Sequence, residues 1–300
     1  MLKKFKINER IDLRLSLYPS FASVLFTQLD NETLLKDLGY GKGLRIRVHR
    51  HEVECEGVLC DDELIKEWIG IWFNPYNYLD KVKRSKKYVI EKLIDLYNGV
   101  RIITSSVDWK IILVAVFLSR RTDYHVNVVR WVKTIFRDTY IENNIDTVIK
   151  RIDVAGKSYQ LKQLKSSISS LFNINFNERP WSLRRELLLK KYVGPKVVDA
   201  FLLFTKKGTV FTPSDIHYQR FVRNLNLVDK KLGIPMKNIC LRYGANCFDC
   251  LFRNNCLTGW SISVFGELSG WVQTIAYIHD KMFCSRNLCM KCKLRNLCMH

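Results

Sequence analysis

Residues 11–17, Ile-Asp-Leu-Arg-Leu-Ser-Leu, alternate strictly between apolar and polar, the period of a half-buried β-strand. Residues 24–29, 44–48 and 52–57 read as three more strands. The pattern then changes. Asp61-Asp62-Glu63 precedes an apolar run and opens a helix, with acidic groups in its first turn where the helix dipole favours them. Residues 82–97 form an amphipathic helix that stops at Asn98-Gly99. Val107-Asp108-Trp109 begins another that runs to Leu118. Its stretch 111–118 is the longest apolar run in the chain, far short of the ~18 residues that span a bilayer, so it predicts a buried helix. Residues 150–190 carry further helices and a polar loop at 173–180. Leu187-Leu188-Leu189 leads to the turn Gly194-Pro195, and an apolar helix follows over 197–204. A basic turn, Lys206-Lys207-Gly208, leads to Pro213-Ser214-Asp215 at the head of the next helix. The expected fold class is α+β, mainly α. A sheet domain occupies residues 1–80, helical layers 81–235, and a cysteine-rich region with a C-terminal helix 236–300.

Composition narrows the partner. The chain is 47% hydrophobic, enough to bury a core, which excludes global disorder. Forty-nine Lys and Arg against 29 Asp and Glu leave a net charge of +20, which favours a polyanion: nucleic acid first, an anionic membrane second. The start, MLKKFKINERIDL, has no apolar stretch of the secretory type, so a soluble intracellular protein is expected. In that reducing setting ten cysteines point to metal or cluster ligation and away from disulfides. Cys55 and Cys60 stand apart from the rest and read as core residues.

The turn at Gly194-Pro195 would present backbone N–H groups at a helix N-terminus, a site for a phosphate oxygen. The segment Lys190-Lys191-Tyr192-Val193-Gly194-Pro195-Lys196, with Ser214-Asp215-Ile216-His217 after it, resembles the helix–hairpin–helix DNA glycosylases, the group containing endonuclease III, 8-oxoguanine glycosylase and 3-methyladenine glycosylase II. The resemblance makes 81–235 a helix–hairpin–helix glycosylase domain. It puts Lys196 at the Schiff-base lysine of the family's bifunctional members and Asp215 at its catalytic aspartate. Tyr192 stands where the family has its first hairpin Gly, so a different hairpin backbone is expected. Residues 119–127, Ser-Arg-Arg-Thr-Asp-Tyr-His-Val-Asn, are similar to the family segment whose polar residue enters the space of the flipped base, with Arg120 in place of Gln. The DNA contacts implied are Arg120, Arg121, Lys190, Lys191, Val193 and Gly194. Trp181 packs in the core on this reading, with a base-pocket wall as the alternative.

Cys240, Cys247, Cys250 and Cys256 are spaced C-x6-C-x2-C-x5-C, the endonuclease III iron–sulfur spacing. Cys284, Cys289, Cys292 and Cys298 are spaced C-x4-C-x2-C-x5-C. Both sets share a repeat, in which the C-x2-C pair is followed by Phe252-Arg253-Asn254 in one and Leu294-Arg295-Asn296 in the other. Four thiolates hold zinc or a 4Fe–4S cluster. Residues 271–284 look like the family helix that precedes its cluster. The second set is then in the family's place and the first is an inserted duplicate. Two 4Fe–4S clusters are expected; if one site holds zinc, it is the first.

The resemblance implies base-excision repair: a base flipped from duplex DNA, attack by neutral Lys196 on the sugar, stabilisation of the sugar cation by Asp215, and β-elimination at the abasic site. The expected partner is double-stranded DNA carrying a damaged base or an abasic site, bound by a monomer in the cytoplasm of a prokaryote or the nucleus of a eukaryote. Two alternatives stay open. One is a monofunctional glycosylase in which Lys196 only contacts phosphate; the other is a non-catalytic damage-binding protein. The lesion is open too. The N-terminal sheet leans toward oxidised or alkylated purines, the cysteine spacing toward oxidised pyrimidines.

Overall fold

A computed structural model describes residues 2–137, 144–228 and 231–298. Five antiparallel strands form one sheet in the order β1-β5-β4-β3-β2: β1 Leu2–Lys6, β2 Phe26–Gln28, β3 Thr33–Lys36, β4 Arg45–Val48 and β5 Glu52–Glu56. In β4 and β5 the side chains alternate between core and solvent, as the sequence predicts, and Ile46 faces Cys55 across the pair.

Residues 11–17 correct the sequence reading. They form helix α1 (Leu13–Leu17), capped by Asp12, whose Oδ1 accepts from the Leu15 N–H at 2.9 Å. Leu13, Ser16 and Leu17 are buried, a spacing of three and four residues, so a short run that alternates by eye obeys the helical period. The edge strand comes instead from β1, whose lysines hide its alternation. Cys55 and Cys60 are buried as expected, but they are joined in a disulfide. The chain reverses just after β5, bringing their Cα atoms to 5.9 Å, inside the span a disulfide bridges.

The helices pack on one side of the sheet. α2 (Asp62–Ile69) is capped by Asp61 through the N–H groups of Glu63 and Leu64. α3 (Arg84–Leu96) and α4 (Trp109–Leu118) follow; every residue of α4 from Ile111 to Leu118 is buried, as an all-apolar helix requires. α5 (Val129–Ile135), α6 (Ile145–Ala155), α7 (Tyr159–Phe172) and α8 (Pro180–Leu189) lead to α9 (Pro195–Phe204). α10 (Ile216–Asn224), α11 (Lys237–Arg242), α12 (Leu257–Phe265) and α13 (Ser269–Met282) complete the chain; Cys240 lies in α11, and the other seven cysteines of the two sets lie in the short turns between α11 and α12 and after α13.

The apolar core is continuous from the sheet into the helices. A buried ion pair crosses the same boundary: Lys36 Nζ lies 2.8 Å from Asp108 Oδ2, and Asp108 also accepts from the Tyr40 N–H and the Ser105 hydroxyl. α13 runs close under the segment after α9. The Gly270 N–H donates to Thr209 O at 2.8 Å, and a Cβ there would stand 2.7 Å from that oxygen, so only glycine permits the approach. No helix among the described residues is long and apolar enough to cross a membrane.

Candidate active site

The hairpin between α8 and α9 is held from three sides. Tyr192 sits at φ +61°, the left-handed region glycine enters without strain. The turn therefore holds, at a tyrosine, a backbone conformation that glycine adopts freely. The Lys191 ammonium lies over the Tyr192 ring at 4.9 Å. Arg120 is committed within the protein: Nε donates to Phe117 O at 2.9 Å, Nη1 to Tyr192 O at 2.8 Å and Nη2 to Gln163 Oε1 at 2.9 Å. It braces the hairpin from behind. Lys237 Nζ donates to Lys190 O at 2.9 Å from α11, and Lys190 pairs with Glu186 at 3.5 Å. Val193 is buried, so only its backbone can meet a ligand. Gly194 caps α9 with no side chain, and a Cβ there would meet nothing within 4 Å. The first amides of α9, unpaired within the helix, thus start beside open surface. Arg121 is exposed at φ +52° on the neighbouring turn.

Lys196, one residue into α9, faces Asp215, the N-cap of α10. Their Nζ and Oδ2 atoms are 3.8 Å apart. Asp215 divides its work: Oδ1 accepts from the Tyr218 N–H at 2.9 Å and Oδ2 faces the lysine. The aspartate side chain is 10% exposed and the lysine 45%, so the carboxylate is fixed and the amine is accessible.

Both line a cleft of about 200 Å³. That is below the ~300–1,000 Å³ of drug-sized ligand sites and on the scale of a single ring system. Tyr18 stacks on His125 at 4.8 Å and leans on Tyr277 at 5.8 Å, and Tyr277 meets His217 edge-on at 5.1 Å, giving the cleft an aromatic wall. Gln273 adds an amide with both donor and acceptor atoms. His217 Nδ1 is 2.5 Å from Oδ2 of the fully buried Asp280, which also accepts from Arg220 at 2.9 and 3.0 Å. The structure brings Lys196 and Asp215, both named from the sequence, to this cleft; no local signal pointed to its other lining residues Tyr18, His125, Gln273, Tyr277 and Lys281, or to Asp280 behind His217. They come from three distant segments, and no local spacing links them. Trp181 stays out of the cleft, packed against Phe211 at 4.8 Å and Phe248 at 5.7 Å.

The two cysteine sets close on separate cavities. Cys240, Cys247, Cys250 and Cys256 ring one of about 130 Å³. Cys284, Cys289, Cys292 and Cys298 ring another of about 710 Å³, with Arg220, Arg223 and Arg295 on its wall. Among the described residues no three His, Cys, Asp or Glu side chains form a group suited to a single metal ion. Polar groups nevertheless approach the sulfurs. The Leu294 N–H donates to Cys292 Sγ at 3.3 Å, His279 Nε2 is 3.4 Å from the same atom, and Arg184 Nη2 is 4.0 Å from Cys240 Sγ. The Tyr97 hydroxyl lies 2.7 Å from His279 Nδ1; a proton donated there leaves Nε2–H to face the sulfur. Burial pushes the Cys247 thiol up to about 12 and the Cys284 thiol up to about 11.

No family model and no curated protein matches this sequence. Solved structures do. An 8-oxoguanine glycosylase/lyase from Clostridium acetobutylicum, in complex with double-stranded DNA containing cytosine opposite 8-oxoguanine, superposes with a TM-score of 0.69 at 14% identity, over 93% of this chain and 98% of that one. MBOgg1 with a low-affinity DNA ligand gives 0.68 at 15% identity, over 94% and 96%. The 3-methyladenine DNA glycosylase of Archaeoglobus fulgidus gives 0.61 at 13% identity, over 94% and 99%. The chain has the fold that these DNA glycosylases share, along essentially its whole length.

Proposed function

We propose that the protein is a DNA glycosylase with abasic-site lyase activity, acting on a damaged base in double-stranded DNA. The observation that carries the reading is the 3.8 Å approach of Lys196 to Asp215 at a base-sized cleft, beside an open helix N-terminus. The target base leaves the stack and enters the cleft, stacking against the wall of Tyr18 and Tyr277 with its edge toward Gln273. The amides at Val193 and Gly194 take a backbone phosphate, with Lys190, Lys191 and Arg121 around it. The bond from C1′ to the base nitrogen breaks and its electron pair leaves with the base. The free amine of Lys196 forms the new bond to C1′ and releases a proton, which Asp215 accepts. Until then the carboxylate opposes the positive charge developing on the sugar. Ring opening yields an imine, and loss of a C2′ proton expels the 3′ phosphate.

One observation favours the monofunctional reading instead: with its side chain 45% exposed and 3.8 Å from a carboxylate, Lys196 has the surroundings of an ordinary surface ion pair. Water would then attack C1′. Borohydride decides between them. With an abasic-site duplex the wild-type protein is expected to form a trapped covalent complex and Lys196→Gln none, while the variant still binds the duplex. Undiminished strand cutting at the lesion by Lys196→Gln would falsify the lyase assignment.

For the cysteines the proposal is one 4Fe–4S cluster per set. Each set rings a cavity, and donors approach its sulfurs, as thiolate ligands require. Bound there, the clusters supply structural cross-linking of the turns that flank α12 and α13. Purified protein should be brown and contain iron; colourless protein with zinc alone would overturn the assignment.

A further inference from the structure

We propose that Lys281 is a charge filter in the cleft, selecting bases that are neutral when bound, such as oxidised ones, over alkylated bases that carry a positive charge. The proposal rests on the glycosylase reading above and names the substrate class that reading leaves open. Lys281 lies in the last turn of α13 and lines the same cleft as Lys196 and Asp215.

The other charged and titratable groups facing the cleft are already engaged. Asp215 faces Lys196 and caps α10. Asp123 Oδ1 accepts from the Val126 N–H at 2.9 Å and caps the turn that carries His125. His217 is held by Asp280. His125 stacks on Tyr18, and burial lowers its affinity for a proton, the Asp123 carboxylate opposing that and the Lys281 ammonium adding to it. Lys281 differs. Its ammonium stands 5.9 Å from the Tyr277 ring, and it makes no ion pair or hydrogen bond among the described residues.

That placement decides a sign. An aromatic wall alone attracts a cationic base through its π faces. An ammonium on the same wall opposes it. At a spacing of about 5 Å and an effective dielectric near 20, two like charges cost on the order of 100-fold in binding, and tenfold or more survives solvent screening. The chemistry pushes the same way. A neutral base leaves C1′ with the bond's electron pair and becomes an anion, which the ammonium stabilises. A cationic base leaves neutral and gains nothing from it.

The test uses full-length protein and duplexes carrying 8-oxoguanine, thymine glycol or 7-methylguanine, the last being cationic. Single-turnover base release is measured for wild type, Lys281→Met and Lys281→Arg, each rate divided by the spontaneous rate. Wild type should release a neutral lesion and discriminate against 7-methylguanine by at least about tenfold. Lys281→Met should narrow that ratio by about tenfold or more, by losing rate on the neutral lesion while holding or gaining it on 7-methylguanine. Lys281→Arg should restore the wild-type ratio. An equal change on both classes, no change, or a wild-type preference for 7-methylguanine overturns the filter and leaves the glycosylase intact. Release of no base, with no borohydride trapping, removes the glycosylase reading itself.

Discussion

Helix α9 carries two ion pairs that differ in almost every physical respect. At its first turn Lys196 faces Asp215 across 3.8 Å, with the amine 45% exposed. One turn on, Asp199 is fully buried and grips Arg184 of α8 at two points, 2.6 and 3.2 Å, while the same guanidinium donates to Ala245 O at 2.7 Å and approaches Cys240. The buried pair is short, doubly bonded and inaccessible, and it joins the helix to the first cysteine turn. The open pair is long and singly engaged, so it can change partners. A structural pair needs every lone pair and proton satisfied; a reactive pair needs the opposite.

The largest expected effect breaks the structural member. Arg184→Met leaves the Asp199 carboxylate buried and alone, at a cost of about 3–5 kcal/mol, read as a fall in urea midpoint together with loss of the visible absorbance of the cluster proposed for the first cysteine set. The double variant Arg184→Met, Asp199→Leu should recover most of that stability, because no charge stays buried unpaired. Recovery without return of the colour would separate the fold from the cysteine site.

Next comes the reactive member. Asp215→Asn should slow base release by about 10²- to 10³-fold, since it removes the charge opposing the sugar cation, while duplex binding is retained. If binding falls in parallel with release, the aspartate is acting as a cap for α10 and not in the chemistry.

Tyr192→Gly tests the hairpin between the two. It relieves a left-handed tyrosine, worth roughly 1–2 kcal/mol, and adds chain entropy to the unfolded state, worth about 0.4–1 kcal/mol, so stability should rise by about 1 kcal/mol or less. A large loss would mean that the ring against Lys191 holds the turn. The smallest effect is expected of Lys191→Ala, which should reduce the slope of log K against log salt by about 1 if that lysine meets a phosphate. The wild-type slope should be about −4 to −5, for roughly five phosphates.

Much of the chain was legible without coordinates. Helix α2 with its acidic start, the apolar helix α4 and the stop at Gly99 follow from local rules of helix-dipole charge, burial and left-handed backbone. β4 and β5 follow from alternation. Residues 11–17 misled because seven positions fit both periods, and the Asp12 cap settled the matter. β1 was hidden because an edge strand buries little, and its lysines face solvent. The Cys55–Cys60 disulfide was set aside on an argument about compartment that says nothing of geometry.

By itself the sequence determined the local chemistry: which residues cap, which turn, which thiols share a spacing, and that a lysine and an aspartate flank one apolar helix. Those are properties of neighbours along the chain, and short-range sterics and hydrogen bonding decide them. Only the tertiary structure decided what each group faces. It turned Arg120 inward to Tyr192, set Asp199 against Arg184, and brought Tyr18, His125, Gln273 and Lys281 from separate segments to one cleft. Such meetings depend on how α13 packs beneath the segment after α9, through an approach that Gly270 allows. The energy of that packing is spread over the whole core, so no short stretch of sequence carries it.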